Sequence, residues 1–305
     1  MKTIFLFPGQ GSQYVGMGKQ LADSHQGAKR LLQEADDILG IALSKILFEG
    51  PEEELKATQN TQPALYVTSQ MAALVLKEQG IAADFAAGHS LGEYSALAAM
   101  GALSFADGLR LVRLRGNLMA EAGVRRPGAM AAVLGMDPQP LEEAIKNVPG
   151  CVVPANFNSP GQIVISGEVA SVEAAMEACT AAGAKKVVRL PVSGAFHSPL
   201  MEYALEGLRE GLVKATFQKP TAAVIANVDA QPHDKPSEFA SLLERQLVSP
   251  VRWIDSMKKA IELGATRAVE VGSGKVLMGL MRGIDRSITV TPVESVEAAQ
   301  ALAAS

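Results

Sequence analysis

Three side chains and one turn carry the chemistry this chain can be read for. Ser90 stands in Gly88-His89-Ser90-Leu91-Gly92, between the apolar run Phe85–Ala87 and an Ala/Leu-rich helical pattern. That spacing is G-x-S-x-G, in which a serine sits on a tight strand-to-helix turn. Small residues on both sides let neighbouring backbone approach. The helix beginning at Leu91 aims its free N–H groups and positive dipole end back at the serine oxygen. The Leu91 N–H is then placed to hold an oxyanion. A plainer reading is a glycine-rich turn whose serine only caps the helix.

A serine nucleophile needs a base, and the chain has four histidines. His25 lies in a polar helical stretch, and His233 in the loop-like "DAQPHDKP". His89 adjoins Ser90, so its side chain leaves the turn in another direction. His197, in "VSGAFHSPLM", follows a strand and precedes a helix, and strand C-terminal ends are where open α/β sheets place their sites. Elimination leaves His197 as the base, against a loop histidine with no partner. No acid follows nearby to orient the ring, which leaves a main-chain carbonyl for that task.

At 100° per residue, "GLRLVRLRGNLMAEA" puts Leu111, Val112, Leu114, Leu118 and Met119 on one side, with Arg115 near the middle of that apolar arc. A buried guanidinium needs an anion. It is either a carboxylate of the protein or a substrate carboxylate held in a bidentate pair. "FPGQGSQ" fits neither G-x-G-x-x-G nor the P-loop spacing. Its Gly9-Gln10-Gly11 turn follows the first strand and offers main-chain N–H groups, with Gln10 a second oxyanion donor; a bland strand-end turn is the alternative.

The elements that must position these groups alternate along the chain. Thr3–Phe7 reads as a buried parallel strand. Helices are expected over Gly18–Ser24 and Ala28–Leu39, and from Pro63 through Lys77. From Gly128 the order becomes strand, helix, two strands, helix, strand, the ferredoxin-like unit. The expected fold is α/β: a large α/β-hydrolase-like domain with a parallel sheet, residues 1–123 and 191–305, and an inserted ferredoxin-like small subdomain, residues 124–190. After it come a helix following Pro199, a strand at Ala222–Asn227, helices at Pro236–Gln246 and Trp253–Leu263, and a strand at Arg267–Val271.

The 305 residues are 48% hydrophobic and 20% charged, with net charge −4, so no bulk charge argues for nucleic acid. Cys151 and Cys179 fit neither a disulfide framework nor a zinc pattern. No stretch reaches transmembrane length, and "MKTIFLFPGQ" is too short for a secretory signal. The expected location is the cytoplasm.

Seven motifs occur in order: "FPGQGSQ", "TQPAL", "GHSLGEYSAL", "RLRG..M", "NFNSPGQIVISG", "AFHSPLM" and "EVGSGKVL". Together they resemble the malonyl-CoA:acyl carrier protein transacylases of bacterial fatty-acid synthesis and their acyltransferase relatives in polyketide synthases, over nearly the whole chain. The resemblance implies ping-pong transfer of a malonyl group from malonyl-CoA to the phosphopantetheine thiol of an acyl carrier protein, with Ser90 and His197 catalytic and neither metal nor cofactor. It implies an oxyanion hole from the main-chain N–H groups of Gln10 and Leu91, and Arg115 on the malonyl carboxylate. It places Gln62 and Asn158 about the pocket and the Gln246 carbonyl on the histidine. Phe196, with Met119, narrows the pocket against a 2-methyl branch. Many stand-alone members lack Phe here, so the carrier's pathway, fatty-acid or polyketide, stays open. An acyl hydrolase editing stalled carriers and a non-catalytic docking subunit are the alternatives. Arg125, Arg126, Lys185 and Lys186 are expected at the edges of the small subdomain, where an acidic carrier could dock.

Overall fold

The computed structural model describes residues 2–192 and 194–304. The first stretch runs β1 (Lys2–Phe7), α1 (Lys19–Ser24), α2 (Gln26–Leu39), α3 (Leu43–Glu49), α4 (Glu52–Lys56), α5 (Thr58–Glu78), β2 (Phe85–Gly88), α6 (Leu91–Ala99) and α7 (Phe105–Arg125). The middle holds β3 (Gly128–Leu134), α8 (Pro138–Ile145), β4 (Val152–Ser159), β5 (Gln162–Glu168), α9 (Val169–Ala181) and β6 (Lys186–Arg189). A 3-10 turn over Pro199–Ala204 leads into α10 (Leu205–Lys214), β7 (Ala223–Ile225), β8 (Pro232–His233), α11 (Pro236–Val248), α12 (Trp253–Glu262), β9 (Ala265–Val271), α13 (Val276–Ile284), β10 (Thr289–Val293) and α14 (Val296–Ala303).

Two sheets result. The larger has the order β10-β9-β1-β2-β7-β8 and is parallel except for the β7–β8 pair. Side chains alternate across it, as strand geometry requires. Phe5, Phe7, Ala86 and Val224 join one apolar cluster, while Ile4, Leu6, Ala87 and Ile225 join the other. Helices therefore cover both faces, which is why these strands read as continuous apolar runs. The smaller sheet has the antiparallel order β4-β5-β3-β6. Ala129, Ala131, Val133, Ile163 and Ile165 face α8 and α9 on one side, and Met130 and Val164 face the larger core on the other.

The sheets are stitched together. Val251 N–H donates to Ala155 O and Phe157 N–H to Val251 O, both at 2.9 Å, forming an isolated parallel bridge along the edge strand β4. Gly128 also lies against Ala195, where a Cβ would come within 2.5 Å of the alanine methyl.

Two expectations need correction. The helix expected to start at Pro63 begins at Thr58, with Pro63 inside it. Proline removes the N–H that would bond to the carbonyl four residues back. That carbonyl, Gln59 O, instead accepts from Arg113 Nη1 at 2.6 Å, so α7 supplies what the proline took away. His233 is not in an open loop. It belongs to β8, half-buried between Asp229 and Glu238, which its ring nitrogens reach at 3.2 and 2.8 Å.

Candidate active site

β1 and β2 run side by side, with Phe7 paired to Gly88. Both strands therefore end at the same edge, and the Pro8–Gly11 turn lies beside the His89–Ser90 turn. Ser90 has φ 52° and ψ −109°, a region that a non-glycine residue enters only under constraint. The neighbours supply that constraint. A Cβ on Gly88 would fall 1.8 Å from the Gly92 carbonyl carbon, and one on Gly92 would fall 2.0 Å from Phe7 O. Glycine at both positions is thus a steric requirement of the turn.

Hydrogen bonds complete the mount. Asn227, at the end of β7 and fully buried, accepts from Ser90 N–H at 2.7 Å through Oδ1 and donates to Gly88 O at 2.7 Å through Nδ2. Glu93 is buried in the first turn of α6. Its Oε2 accepts from Asn227 N and from Gln246 Nε2, each at 2.9 Å. Burial lifts the Glu93 carboxyl from its ordinary 4.5 to about 7.

Ser90 Oγ lies 2.7 Å from His197 Nε2. His197 is 4% exposed and has φ 56°. Its Nδ1 faces Gln246 O at 2.9 Å and Ser249 O at 3.2 Å. These carbonyls belong to the last turn of α11, where a helix leaves its C=O groups without internal partners. A carbonyl can only accept, so the ring proton sits on Nδ1 and the Nε2 lone pair points at Ser90. The negative end of the helix does what a carboxylate does in other triads. Burial, and then the Arg115 charge, push the His197 pKa down to about 3, so the ring is neutral at physiological pH.

Arg115 is 1% exposed. Its Nη1 donates to Gln62 Oε1 at 3.0 Å, and its Nη2 to Gln246 Oε1 and Ser90 Oγ, each at 3.1 Å. The guanidinium lies 5.6 Å from the Tyr94 ring centre, a cation–π contact. Among the described residues no carboxylate comes within ion-pairing distance of it. Of the two sources the sequence left open for its anion, the protein itself supplies none in direct contact.

A cavity of about 100 Å³ opens beside these groups, lined by Gln10, Gln62, Leu91, Met119, Met130, Asn156, Leu190, Val192 and Phe196, with His89, Ser90, Arg115 and His197 at its polar end. Among the described residues, the main-chain N–H groups of Gln10 and Leu91 have no hydrogen-bond acceptor. A wider hollow of about 730 Å³ between β4 and α12 has no nucleophile with a base among its lining residues.

The structure brings Ser90, His197, Arg115, Gln10, Leu91, Gln62, Met119 and Phe196 to one cavity. Gln246 sits behind it, with its carbonyl on His197 and its carboxamide on Arg115, Glu93 and Ser90 O. Asn158 does not line the cavity itself but stands behind His89, which does, with its Oδ1 at 2.7 Å from His89 Nε2. Asn156, two residues earlier, occupies the lining position, and the β4–β5 register shifts between Phe157 and Ser159, so simple strand alternation does not hold there. Asn227, Glu93 and Asn156 were not singled out from the sequence. The available signal was an acid inside the apolar α6 pattern and an asparagine ending the apolar run of β7.

Residues 4–300 match the family model described as the acyl transferase domain. The chain belongs to that family. This acyl transferase is 48% identical over 304 residues to the malonyl CoA-acyl carrier protein transacylase of Bacillus subtilis (strain 168), covering 98% of this chain and 96% of that one. It is 44% identical over 290 residues to the transacylase of the same name from Escherichia coli (strain K12), covering 94% of each. The acyl-carrier-protein-S-malonyltransferase of Bartonella henselae superposes with TM-score 0.96 at 42% identity, over 99% of this chain and 98% of that one. A malonyl-transacylase solved in complex with a type II polyketide synthase acyl-carrier protein superposes with TM-score 0.95 at 40% identity, over 98% of both chains.

Proposed function

We propose that this acyltransferase moves the malonyl group of malonyl-CoA onto the phosphopantetheine thiol of an acyl carrier protein, through a malonyl ester on Ser90. One observation carries the reading: a buried guanidinium without an anion opens onto the same small cavity as a serine–histidine pair. An acyl group ending in a free carboxylate fits both ends of that cavity. Ordinary ester substrates leave the arginine unpaired.

In the first half-reaction Ser90 Oγ attacks the thioester carbonyl carbon and its proton passes to His197 Nε2. The carbonyl oxygen, now negative, takes the N–H groups of Gln10 and Leu91. The C–S bond breaks, and the departing CoA sulfur receives the proton from His197. In the second half-reaction the carrier thiol gives its proton to His197 and attacks the malonyl ester, and Ser90 regains its proton as it leaves. Arg115 and Gln62 hold the carboxylate throughout. No resident cofactor or metal is needed, because nucleophile, base and oxyanion donors are all side-chain or backbone groups of the chain.

Met119 and Phe196 flank the place where the malonyl methylene would lie, and a 2-methyl branch competes with them for space. The division into residues 1–123 with 191–305, and 124–190, belongs to this proposal: both parts wall the cavity, Met130, Asn156 and Leu190 coming from the insert. Carrier docking at the insert's edge is proposed with it. Arg126 pairs loosely with Glu168 at 3.8 Å, whereas Arg125 is already engaged by Glu121 and lies over Tyr203. No helix among the described residues is long and apolar enough to cross a membrane. Cys151 and Cys179 are free thiols, in keeping with a cytoplasmic enzyme.

Intact-protein mass after mixing with malonyl-CoA, followed by a chase with carrier protein, tests the reading. The expected result is a malonyl adduct that moves onto the carrier and is absent in Ser90→Ala. An adduct that persists in Ser90→Ala overturns the assignment of the nucleophile. Free malonate without any acylated carrier makes the protein a hydrolase.

A further inference from the structure

The guanidinium of Arg115 lies directly on the nucleophile. Its Nη2 donates to Ser90 Oγ at 3.1 Å, and Ser90 Oγ in turn reaches His197 Nε2 at 2.7 Å. Its other partners are the neutral carboxamide oxygens of Gln62 and Gln246, and its Nε has none. Glu93 is separated from it by the Gln246 carboxamide.

Two effects hold Ser90 back in this arrangement. The arginine N–H occupies one of the two Oγ lone pairs and draws electron density from the oxygen, which weakens it as a nucleophile. An imidazolium at His197 would also stand two hydrogen bonds from a guanidinium, in a site with little water to screen them, so proton transfer from Ser90 is opposed by like charge. Both effects are relieved when an anion reaches Arg115. A carboxylate accepts the Nη2 proton that Oγ had held, and its charge offsets the guanidinium in the field at His197.

We propose that the carboxylate of the acyl donor is a switch as well as an anchor: by pairing with Arg115 it releases Ser90 Oγ and permits His197 to take its proton, so that neutral acyl groups bind to a nucleophile that remains held. This rests on the malonyl-transfer reading above. The bonds made and broken are those of the first half-reaction; the carboxylate changes the rate and is not consumed. Selectivity is then expressed in the acylation rate at saturating donor and not in binding alone.

A pure anchor works only when the carboxylate is covalently joined to the acyl group. A charge switch also works when it is not. The test is single-turnover acylation of the wild-type protein by saturating acetyl-CoA, read by rapid quench and intact mass, with sodium formate titrated against sodium chloride at equal ionic strength. Formate is expected to raise the acetylation rate saturably by about tenfold or more, a part of the roughly 10²–10⁴-fold that positioned proton transfer contributes, and chloride to leave it unchanged. Saturating malonyl-CoA is expected to acylate Ser90 faster than saturating acetyl-CoA by a similar factor. Equal saturating rates for the two donors overturn the proposal. So does the lack of any formate acceleration while malonyl-CoA still labels Ser90. A formate effect that survives in Arg115→Gln also overturns it, since formate would then act elsewhere. Failure of malonyl-CoA to label Ser90 at all is a separate result and removes the transfer reading itself.

Discussion

Asn227 offers the sharpest test of how the nucleophile is mounted. Its side chain makes two hydrogen bonds of 2.7 Å, one to Gly88 O and one from Ser90 N–H, and it is fully buried. Asn227→Ala strands both backbone groups. Each buried unsatisfied group costs about 1–3 kcal/mol, so about 4 kcal/mol is expected for the two. Unfolding entropy near the midpoint is about 2.1 cal/mol/K per residue, or about 0.6 kcal/mol/K for 305 residues, which converts that loss to a fall in Tm of about 6 °C. Activity should fall further than stability requires, because the same two bonds help to hold Ser90 at φ 52°. Circular dichroism melting gives the first number, and single-turnover acylation by malonyl-CoA at 25 °C, well below the transition, gives the second. A Tm within about 1 °C of wild type would refute the reasoning, because unsatisfied groups of this kind cost at least about 1 kcal/mol each. A large Tm loss with an unchanged acylation rate would show that the turn keeps its shape without Asn227.

Gly92→Ala would place its methyl 2.0 Å from Phe7 O, so loss of acylation and a destabilisation of about 1–3 kcal/mol or more are expected on melting. Gly279→Ala, in α13 and with nothing within 4 Å of the added methyl, should instead stabilise by about 0.5–1 kcal/mol. Glu93 has a folded pKa of about 7 against an ordinary 4.5, so the folded state holds the extra proton between those values and wild-type stability falls as pH rises through them. Glu93→Gln should remove that dependence, so its Tm relative to wild type should climb from about pH 5 to about pH 8; a constant difference would contradict the buried-carboxyl assignment. Phe196→Ala should admit methylmalonyl-CoA as a donor, seen as a methylmalonyl adduct by intact mass; an adduct of equal yield in the wild type would remove Phe196 from selectivity.

Much of the site was legible because its residues have few alternative uses. G-x-S-x-G is costly to build, and the contacts of Gly88 and Gly92 show why no other residue fits there. Arg115 was legible because an arginine in an apolar helix arc must have polar partners, which the structure supplies as the Gln62 and Gln246 carboxamides. The small sheet was legible because strand alternation and an Asn-Ser-Pro-Gly turn are local signals. The Ser90–His197 pair, 107 residues apart, was legible through the chemistry a nucleophile requires, but the supporting hydrogen bonds across the fold were not. Asn227 meets Ser90 across 137 residues, and Gln246 meets it across 156. Nothing near Asn227 marks it for that role, and Gln246 was named only through the family resemblance and only for its carbonyl. The start of α5 was misplaced for a related reason: a proline is tolerated within the helix because Arg113, from another helix, bonds the freed carbonyl. The short β8 and the C-terminal elements α13, β10 and α14 carry weaker local patterns and emerge only from packing.

The run from Gln246 to Arg252, the last turn of α11 and the link to α12, looks like an ordinary connection between two helices. Connections of this kind usually tolerate insertions and deletions. This one does not have that freedom. Gln246 O and Ser249 O fix His197, Val251 pairs with β4, and Arg252 N–H bonds to Asn227 O at 3.1 Å. Seven consecutive residues therefore keep the imidazole, the insert and the serine turn in register with one another. One residue more or fewer would have to break at least one of those three alignments. Length variation in this enzyme's lineage should thus accumulate in other loops and leave this stretch at constant length.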